Sequence, residues 1–336
     1  RNAGVDRDAA ARAKRLIARL AETTNDPHVL SEPGAFAGLF RLPADLPRPV
    51  LAASADGVGT KIKVAIRAGR HDTLGHDLVN HCTNDILVQG ARPLFFLDYI
   101  ALGRLDESVV AQLVAGIAAA CRANGCVLLG GETAEMPDLY APGDYDLAGF
   151  IVGIADEHRR PGRHRVRPGD RIVALPSNGF HTNGYSLLRR LLFDRLGLTP
   201  TDPFPDLDAT VADVLLRTHR SYLHALGPLL EQDRIHALAH ITGGGIPENL
   251  ARILPAGLQA RVHTRSWEPP PEFRAVMRIG AIEPEEMFRT FNMGVGMILV
   301  VAPEHADPVL ADLHAAGEHA WIAGEVAEGR PAVLLV

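Results

Sequence analysis

Short apolar runs alternate with amphipathic stretches along the first half of the chain. Four apolar runs typical of strands lie at 50–53, 93–100, 126–129 and 146–154. Apolar residues recur at helical spacing at 8–21, 75–90 and 107–124, which predicts helices there. We expect 50–53 to be a buried strand and the Pro-, Gly- and Asp-rich stretch 23–49 to be mostly loop. The order of these elements predicts an α/β or α+β first half.

A polar, basic stretch with Pro and Gly at 161–170 separates this half from the next. Domain boundaries fall in such segments, and we therefore predict two domains, 1–163 and 164–336. Predicted strands of the second half are 171–175, 237–241, 294–301 and two short strands at the end. Its predicted helices are 187–196, 210–231, 246–253, a region near 272–289 and 303–316. No repeat with a period of about 20–50 residues is evident.

Directly after the first apolar run, the chain carries a carboxylate, two glycines, a hydroxyl and a lysine within six residues. Gly57 and Gly59 allow a sharp turn and the close approach of a ligand, and we expect Thr60 to cap the helix that begins at Lys61. Backbone N–H groups and Lys61 suit phosphate oxygens, and Asp56 suits Mg²⁺. The combination indicates a site for a polyphosphate with its metal ion. The alternative is an Asp-Gly turn before an ordinary helix.

The helix predicted at 75–90 has a polar face among apolar neighbours. Asp77, His81 and Asn84 are spaced i, i+4 and i+7, so they share one face, with Asp85 at its margin. A polar face in such surroundings indicates a function. The alternative is a helix surface that is simply solvated.

Glu132 repeats the pattern of Asp56, because it follows an apolar run and two glycines. A carboxylate at the end of a strand is a good metal ligand. We therefore expect the strand ends that carry Asp56 and Glu132 to converge on one cation.

Two polar loops of the second half are candidate anion sites, because each lies between a predicted strand and the start of a helix. One contains His181 and Asn183, and the other is the Thr242–Gly245 turn. His181 can bind a phosphate or carry a proton, and the alternative is an ordinary surface histidine. The triple glycine does not match the dinucleotide fingerprint GxGxxG, so a Rossmann site is not predicted.

Composition narrows the class of protein. The net charge of −6 argues against nucleic acid as the main partner, and a phosphorylated substrate therefore needs cations close to its site. No run of about 18 apolar residues occurs and no signal peptide is visible, so we expect no membrane partner. The three cysteines have neither a paired framework nor metal-ligand spacing, which fits a reducing, cytoplasmic location.

Eight segments in one order carry a resemblance to a known family. They are Asp56-Gly-Val-Gly-Thr-Lys61, His71-Asp-Thr73, Asn84-Asp85, Pro93 to Tyr99, Gly130-Gly-Glu-Thr-Ala-Glu-Met-Pro137, Asn183-Gly-Tyr-Ser186, Thr242-Gly-Gly-Gly245 and Phe291-Asn-Met-Gly-Val-Gly-Met297. From about Ala3 to its C-terminus, the chain resembles the phosphoribosylformylglycinamidine cyclo-ligases, or AIR synthetases, of purine biosynthesis. The wider superfamily, which includes selenophosphate synthetase and thiamine-monophosphate kinase, shares the Asp-containing strand end and the Asn-Asp helix.

The resemblance implies an N-terminal α/β domain whose strands form a dimer-spanning, β-barrel-like sheet, and a C-terminal α+β domain. It implies a homodimer with ATP bound in the N-terminal domain and near the interface, with Mg²⁺ as the metal. It also implies a small-molecule substrate, the phosphorylated ribonucleotide formylglycinamidine ribonucleotide. The products it implies are 5-aminoimidazole ribonucleotide, ADP and phosphate.

With the resemblance and the motifs together, site residues are assigned in three groups. The catalytic residues are Asp56, Lys61 and His181. The metal ligands are Asp56, Asp85, Glu132 and Asp77. The nucleotide- and phosphate-binding residues are Gly57, Gly59, Thr60, Lys61, Asn84, Asp85, Asn183, Thr242, Gly243 and Gly244. The ribose 5-phosphate of the substrate suits the loop at 181–183 or the turn at 242–245.

The chain departs from the resemblance at three places. The stretch 31–40 is less rich in glycine than its counterpart in the family. Asn80 and His81 stand where smaller or apolar residues are expected. Met293 stands where a cysteine is common, so a thiol at that point cannot be essential here.

Two other classes of function remain as alternatives. One is another enzyme of the same superfamily, either a kinase or a selenophosphate synthetase. A selenophosphate synthetase is expected to have a reactive cysteine or selenocysteine near its N-terminus, whereas the first cysteine here is Cys82. The other alternative is a non-catalytic, nucleotide-binding scaffold.

Overall fold

The computed structural model describes residues 7–32 and 34–336, with side chains described from Ala11 onward. The chain divides into two compact units. The first runs to Ile86 and continues over Ala91–Glu157, and the second comprises Leu87–Gly90 and His158–Val336. The predicted domain limits do not anticipate that Leu87–Gly90 belongs to the second unit.

The first unit is built on a four-stranded sheet. Its strands are β1 (Pro49–Gly57), β2 (Arg92–Leu102), β3 (Val127–Glu135) and β4 (Tyr145–Asp156). Its helices are α1 (Arg7–Glu22), α2 (Lys61–Ala68), α3 (Asp72–Leu87) and α4 (Glu107–Ala123). The strand order is β1-β4-β2-β3, with β2 and β3 parallel and the other neighbours antiparallel. The strands and helices predicted for this half are therefore present, and the strands are longer than predicted.

Two glycines allow α3 and α4 to pack closely. A Cβ on Gly75 would lie 2.3 Å from the backbone nitrogen of Ile117. A Cβ on Gly116 would lie 2.3 Å from the carbonyl oxygen of Asp72. No side chain fits at either position, so this close contact fixes the position of α3 against α4. Helix α3 carries the predicted polar face.

Only one face of the first sheet is buried. On β2, Phe96, Asp98 and Ile100 are buried. Leu51 on β1 and Phe150 on β4 are 60% and 46% exposed, and strand register places both on the opposite face. The prediction of a buried strand at 50–53 is therefore wrong, because β1 is an edge strand with one open face.

The second unit is built on a six-stranded sheet. Its strands are β5 (Arg171–Pro176), β6 (Ala237–His240), β7 (Leu258–Val262), β8 (Val295–Val301), β9 (Trp321–Glu328) and β10 (Val333–Leu335). The order is β10-β7-β9-β5-β8-β6, antiparallel except for the β10–β7 pair. Its helices are α5 (Tyr185–Arg189, continued by a π-helical turn at Arg190–Arg195), α6 (Val211–Leu215), α7 (Leu223–Glu231), α8 (Gly245–Ala251), α9 (Pro271–Gly280), α10 (Pro284–Thr290) and α11 (Pro303–Ala315).

Apolar side chains cover both faces of the second sheet. All seven residues of β8 are buried, and residues 297–301 alternate between two apolar clusters. Ile246 and Leu250 of α8 pack on one face. Leu226 of α7 and Val309 of α11 pack on the other. A strand covered on both sides needs no polar alternation, which explains the continuous apolar run that predicted it.

One prediction for the second half is wrong, and one strand was not predicted. The long helix predicted at 210–231 is two helices, α6 and α7, joined by a non-helical segment that is held by tertiary contacts. In this segment the Tyr222 hydroxyl donates to the carbonyl of Pro176 at 2.8 Å, and the Thr218 carbonyl accepts from Asn178. Strand β7 was not predicted, because its five residues alternate apolar Leu258, Ala260 and Val262 with two polar residues and form no continuous apolar run.

None of the helices in the described part of the chain combines the length and the apolar character that crossing a bilayer requires.

Candidate functional site

One face of α3 joins the first unit's two predicted motifs. Asp77, His81 and Asp85 follow one another at four-residue steps and therefore line one side of the helix. Each contacts a residue of β1 or of the first turn of α2. Their partners are, in the same order, Lys61, Asp56 and Ser54.

His81 lies between two predicted metal ligands. Its Nε2 is 2.8 Å from Oδ2 of Asp56 and 3.8 Å from Oδ2 of Asp85. The imidazole is 6% exposed, whereas the Asp56 and Asp85 side chains are 45% and 27% exposed. Burial lowers the pKa of His81, but the hydrogen bond that its ring donates to Asp56 and the charge of Asp85 outweigh this effect and raise the pKa above its ordinary value. Ser54 orients Asp85 by donating to Oδ2 at 3.0 Å.

The glycines after Asp56 allow the predicted turn. Gly59 has φ of 59°, the left-handed region that glycine tolerates, and Oδ1 of Asp56 accepts the Gly57 N–H at 2.7 Å. Thr60 occupies the N-cap position of α2, but its side chain makes no capping hydrogen bond. The predicted cap at Thr60 is therefore wrong, since its φ and ψ of −74° and 4° are not those of a capping residue.

Lys61 and Asp77 form a fully buried ion pair. Lys61 Nζ lies 2.9 Å from Oδ1 and 2.8 Å from Oδ2 of Asp77, and both side chains are 0% exposed. Burial lowers the pKa of Lys61, and the charge of Asp77 opposes that shift. In this structure the two groups meet each other rather than solvent, so neither faces a nucleotide or an ion. The triphosphate role of Lys61 and the metal role of Asp77 stay predictions.

Glu132 does not converge with Asp56 within one chain. It lies inside β3, not after its end, and β3 and β1 are the opposite edges of the sheet, about 14 Å apart at three strand spacings. Glu132 pairs in register with Tyr99, on the open face, whereas Asp56 faces α3. Its carboxylate is exposed and accepts the Thr133 N–H at 2.8 Å. Asn84, by contrast, is fully buried on α3.

Asp98 is a titratable residue that the sequence reasoning did not single out. It lies on β2, and a Cβ on its neighbour Gly131 would come within 2.3 Å of its Oδ1. Burial, helped by the charge of Glu132 and opposed by its own backbone N–H, raises the pKa of Asp98 to about 7. The signal in the sequence is one aspartate inside the apolar run 93–100.

In the second unit, Asn292 holds the loop that follows β5. Its Oδ1 accepts from the Ser177 hydroxyl at 2.9 Å and from the Gly294 N–H at 2.8 Å. Its Nδ2 donates to the carbonyl of Gly179 at 2.9 Å. Asn292, which precedes β8, therefore holds in place the loop that carries His181 and Asn183.

His181 is part of the core beneath this loop and is not a surface histidine. It is 0% exposed, and its Nε2 accepts the backbone N–H of Asn178 at 2.9 Å. Its ring stacks on His219 with centroids 4.0 Å apart, and Nε2 of His219 is 2.8 Å from Nε2 of His240. The lone pair that a nucleophilic or phosphate-transferring Nε2 would use is therefore occupied by a backbone donor.

The two predicted anion loops of the second unit lie side by side. Oδ1 of Asn183 is 3.4 Å from the position of a Cβ on Gly243. Asn249 fixes the turn, because its Nδ2 donates to the carbonyls of Gly243 at 3.0 Å and Gly245 at 2.9 Å. Gly243 is exposed, and Oε2 of Glu248 lies over Gly244. The turn therefore presents backbone groups next to Asn183, with one carboxylate close by.

Family models match most of the chain. The model described as AIR synthase related protein, N-terminal domain, matches residues 36–155, and the C-terminal domain model matches residues 167–336.

Curated relatives match over nearly the whole length. A phosphoribosylformylglycinamidine cyclo-ligase of Trichlorobacter lovleyi is 49% identical over 327 residues, covering 97% of this chain and 94% of that protein. One of Pseudothermotoga lettingae is 45% identical over 336 residues, covering 100% of this chain and 98% of that protein.

Solved structures show the same fold at low identity. A thiamine-monophosphate kinase from Stenotrophomonas maltophilia gives a TM-score of 0.68 at 19% identity, covering 95% of each chain. A hydrogenase maturation protein HypE in complex with ATP gives 0.68 at 24% identity, covering 94% of this chain and 88% of that one. The family models and the full-length relatives show that the chain belongs to the AIR synthase-related family, and within it to the phosphoribosylformylglycinamidine cyclo-ligases.

Proposed function

We propose that this chain closes the imidazole ring of formylglycinamidine ribonucleotide, using ATP and releasing 5-aminoimidazole ribonucleotide, ADP and phosphate, in purine biosynthesis. The observation that carries the proposal is the match, at 49% identity over 97% of the chain, to a protein named for this reaction. We place the reaction in the cytoplasm, in line with the three free cysteines.

The chemistry explains why ATP is needed. An amidine nitrogen attacks the formyl carbon of the same molecule, so bringing the reacting atoms together costs little entropy. The formyl oxygen must then leave, and hydroxide is a poor leaving group. Transfer of the γ-phosphoryl group to that oxygen converts it to phosphate, which leaves readily. The protein's task is to hold two anionic substrates in line and to neutralise their charge.

Asp56 and Asp85 are the residues proposed to hold Mg²⁺. Both are partly exposed carboxylates, and oxygen donors of this kind are what Mg²⁺ prefers. When bound, the ion supplies positive charge to the triphosphate. The Gly57–Gly59 turn is proposed to bind the phosphates through its N–H groups other than that of Gly57, which donates to Asp56. The Lys61–Asp77 pair is proposed to support this turn. Glu132 joins this site only if a second subunit brings it there.

The 5-phosphate of the ribonucleotide is proposed to bind where Asn183 meets the Thr242–Gly244 turn. In the described part of the chain, the N–H groups of Gly243 and Gly244 donate no hydrogen bond, so both are available to an anion. We propose that His181 supports this loop through Asn178 and does not carry the phosphoryl group.

A homodimer is proposed through the open face of the first sheet. Leu51 and Phe150 share that face with the half-buried Phe95 and Leu97. A contiguous apolar face of this kind favours a self-complementary contact that continues the sheet surface into a barrel-like interface.

The test of the proposed function is ADP release with formylglycinamidine ribonucleotide, with thiamine monophosphate as the comparison substrate. We expect ADP only with the former, together with 5-aminoimidazole ribonucleotide by mass spectrometry. With ¹⁸O in the formyl group, the label should appear in inorganic phosphate. Label in water would mean that ATP does not activate the formyl oxygen, and ADP release with thiamine monophosphate alone would indicate a kinase.

A further inference from the structure

The imidazole of His81 is placed where a metal ligand would be. It is the only side chain described above that approaches both Asp56 and Asp85, and Nε2 is the atom that faces them, at 2.8 and 3.8 Å. The ring is 6% exposed, so the rest of the side chain is held by the protein while the two carboxylates remain partly open.

The two distances from His81 Nε2 to the carboxylates match those between ligand atoms of one ion. Two ligand atoms that are each about 2.1 Å from a metal lie about 3.0 Å apart when the ligand–metal–ligand angle is about 90°. A wider angle increases this separation to about 4 Å. The two separations at Nε2 fall in this range. Both carboxylates are partly exposed, and Asp56, the more exposed of the two, has room to turn toward an ion.

We propose that His81 is itself a ligand of the divalent cation held by Asp56 and Asp85, and that its nitrogen directs the site toward first-row transition ions over Mg²⁺. This inference rests on the metal site of the proposed function. A set of carboxylates and water suits Mg²⁺, whereas an imidazole adds affinity for ions such as Fe²⁺ and Co²⁺ much more than for Mg²⁺.

The neighbourhood of His81 fits a ligand held in place. It lies in the middle of α3, whose position against α4 is fixed by the Gly75–Gly116 contact. Asp85 is oriented by the Ser54 hydroxyl at 3.0 Å. Metal ligands that are oriented by such supporting contacts bind more tightly than mobile ones. Two of the three ligands therefore need no reordering when an ion binds.

The test uses Co²⁺ alone as the probe, because its visible absorption reports nitrogen ligation directly. The purified full chain is titrated with Co²⁺, and Mg²⁺ is then added to measure its affinity by competition. The same is done for His81→Gln, which keeps a polar partner for Asp56 but is a poor ligand. The matched control is His76→Gln, on the same helix but on another face, with thermal unfolding checked for all three proteins.

We expect the wild-type chain to bind Co²⁺ more tightly than Mg²⁺, and His81→Gln to lose roughly tenfold or more in Co²⁺ affinity. The Mg²⁺ affinity of His81→Gln should change much less, and His76→Gln should match wild type for both ions. Unchanged Co²⁺ affinity or an unchanged spectrum in His81→Gln, or no Co²⁺ binding by the wild-type chain, would overturn the inference. These readouts need no turnover, so they are separate from ADP release, on which the proposed function depends.

Discussion

The three carboxylates that surround the α3 face have different environments, and this decides what each can do. Asp56 is 45% exposed and Asp85 27%, whereas Asp77 is completely buried against Lys61. An exposed carboxylate is free to exchange a hydrogen bond for an ion, while a buried, paired one is held by the cost of leaving its partner unpaired. At the scale of single residues, Asp56 is therefore the best candidate for direct contact with the metal and nucleotide.

Asp56→Asn should reduce turnover strongly and leave the fold intact. Asparagine keeps the size and an acceptor for the Gly57 N–H but removes the charge that attracts a cation. The measurement is the rate of ADP release at saturating Mg²⁺, with thermal unfolding as the check on folding. The control is Asp45→Asn, which alters only an exposed pair with Arg92. Wild-type turnover in a folded Asp56→Asn chain would rule out the metal role.

His181→Gln should retain turnover within about tenfold of wild type, because a glutamine oxygen can still accept the Asn178 N–H. A phosphohistidine relay through this residue predicts an inert variant instead. Single-turnover ADP formation with formylglycinamidine ribonucleotide distinguishes the two outcomes. Acid-quenched wild-type enzyme should also carry no phosphate on histidine.

Asp98→Asn should stabilise the protein more at pH 8 than at pH 5. The pKa of Asp98 is raised from 3.8 to about 7, so between these values the folded state holds a proton that the unfolded chain releases. Stability from this group is therefore lost as pH rises toward 7, by up to about 4 kcal/mol. Asparagine has no proton to lose. The difference in unfolding free energy between variant and wild type, from urea titrations at both pH values, should grow with pH. A difference independent of pH would contradict the assignment.

At the scale of elements, α3 is attached to β1 and α2 by a row of polar contacts. The side chains of Asp85, His81 and Asp77 are progressively more buried along the helix, from 27% exposed at Asp85 to 0% at Asp77. The buried end of this row, Lys61–Asp77, holds α2 and α3 in place under the turn that follows Asp56. We expect this pair to act on the position of the turn and not as a ligand.

Lys61→Met should destabilise the chain by about 3–5 kcal/mol, because it leaves the Asp77 charge buried without its cation. The double variant Lys61→Met/Asp77→Leu should recover much of that loss. The control is Lys63→Met, two residues further on, whose pair with Asp144 is 44% and 30% exposed and should cost less than about 1 kcal/mol. Guanidinium unfolding of the wild-type chain and the three variants gives the four free energies of unfolding. Normal stability in Lys61→Met would show that the pair is not buried as described.

Features that depend on residues close together in sequence could be predicted, whereas features that depend on contacts between distant residues could not. The strands β2 and β8 and the helix α3 follow from apolar periodicity, which is local. The break between α6 and α7 depends on contacts such as that of Tyr222 with Pro176, which is distant in sequence. No local sequence pattern predicts such a contact. The same holds within the site. The spacing of Asp77, His81 and Asn84, with Asp85 at the margin, predicted a common polar face of the helix. Only the folded chain shows that Lys61 turns inward to Asp77 and that β1 and β3 are opposite edges of the sheet.

At the scale of the whole molecule, the open face of the first sheet is the largest feature that the single chain leaves unexplained. The large apolar side chains Leu51 and Phe150 are exposed there, and Glu132 lies on the same face. A sheet with one apolar face open needs a cover, and a second copy of the same face is the simplest one.

Sedimentation at micromolar concentration should therefore show one species near twice the 36.1 kDa chain mass. Phe150→Lys should shift this species toward monomer, because it buries a charge in the apolar contact. Leu196→Lys, at an exposed apolar residue of the second unit, is the control and should remain dimeric. An active, stable monomer of the wild-type chain would contradict the dimer.

Because Leu87 belongs to the second unit, it also limits where the chain can be divided into fragments that fold. Leu87 is 1% exposed in the same apolar cluster as Val173 and Leu175, although it lies some 70 residues before the rest of the second unit begins. A fragment that starts at residue 158 or 164 would leave this position empty, and an unfilled leucine site costs about 2–5 kcal/mol. The second unit is thus completed by a residue that belongs, in sequence, to the first half. A gene fragment that encodes only the second family domain would therefore encode an incomplete core.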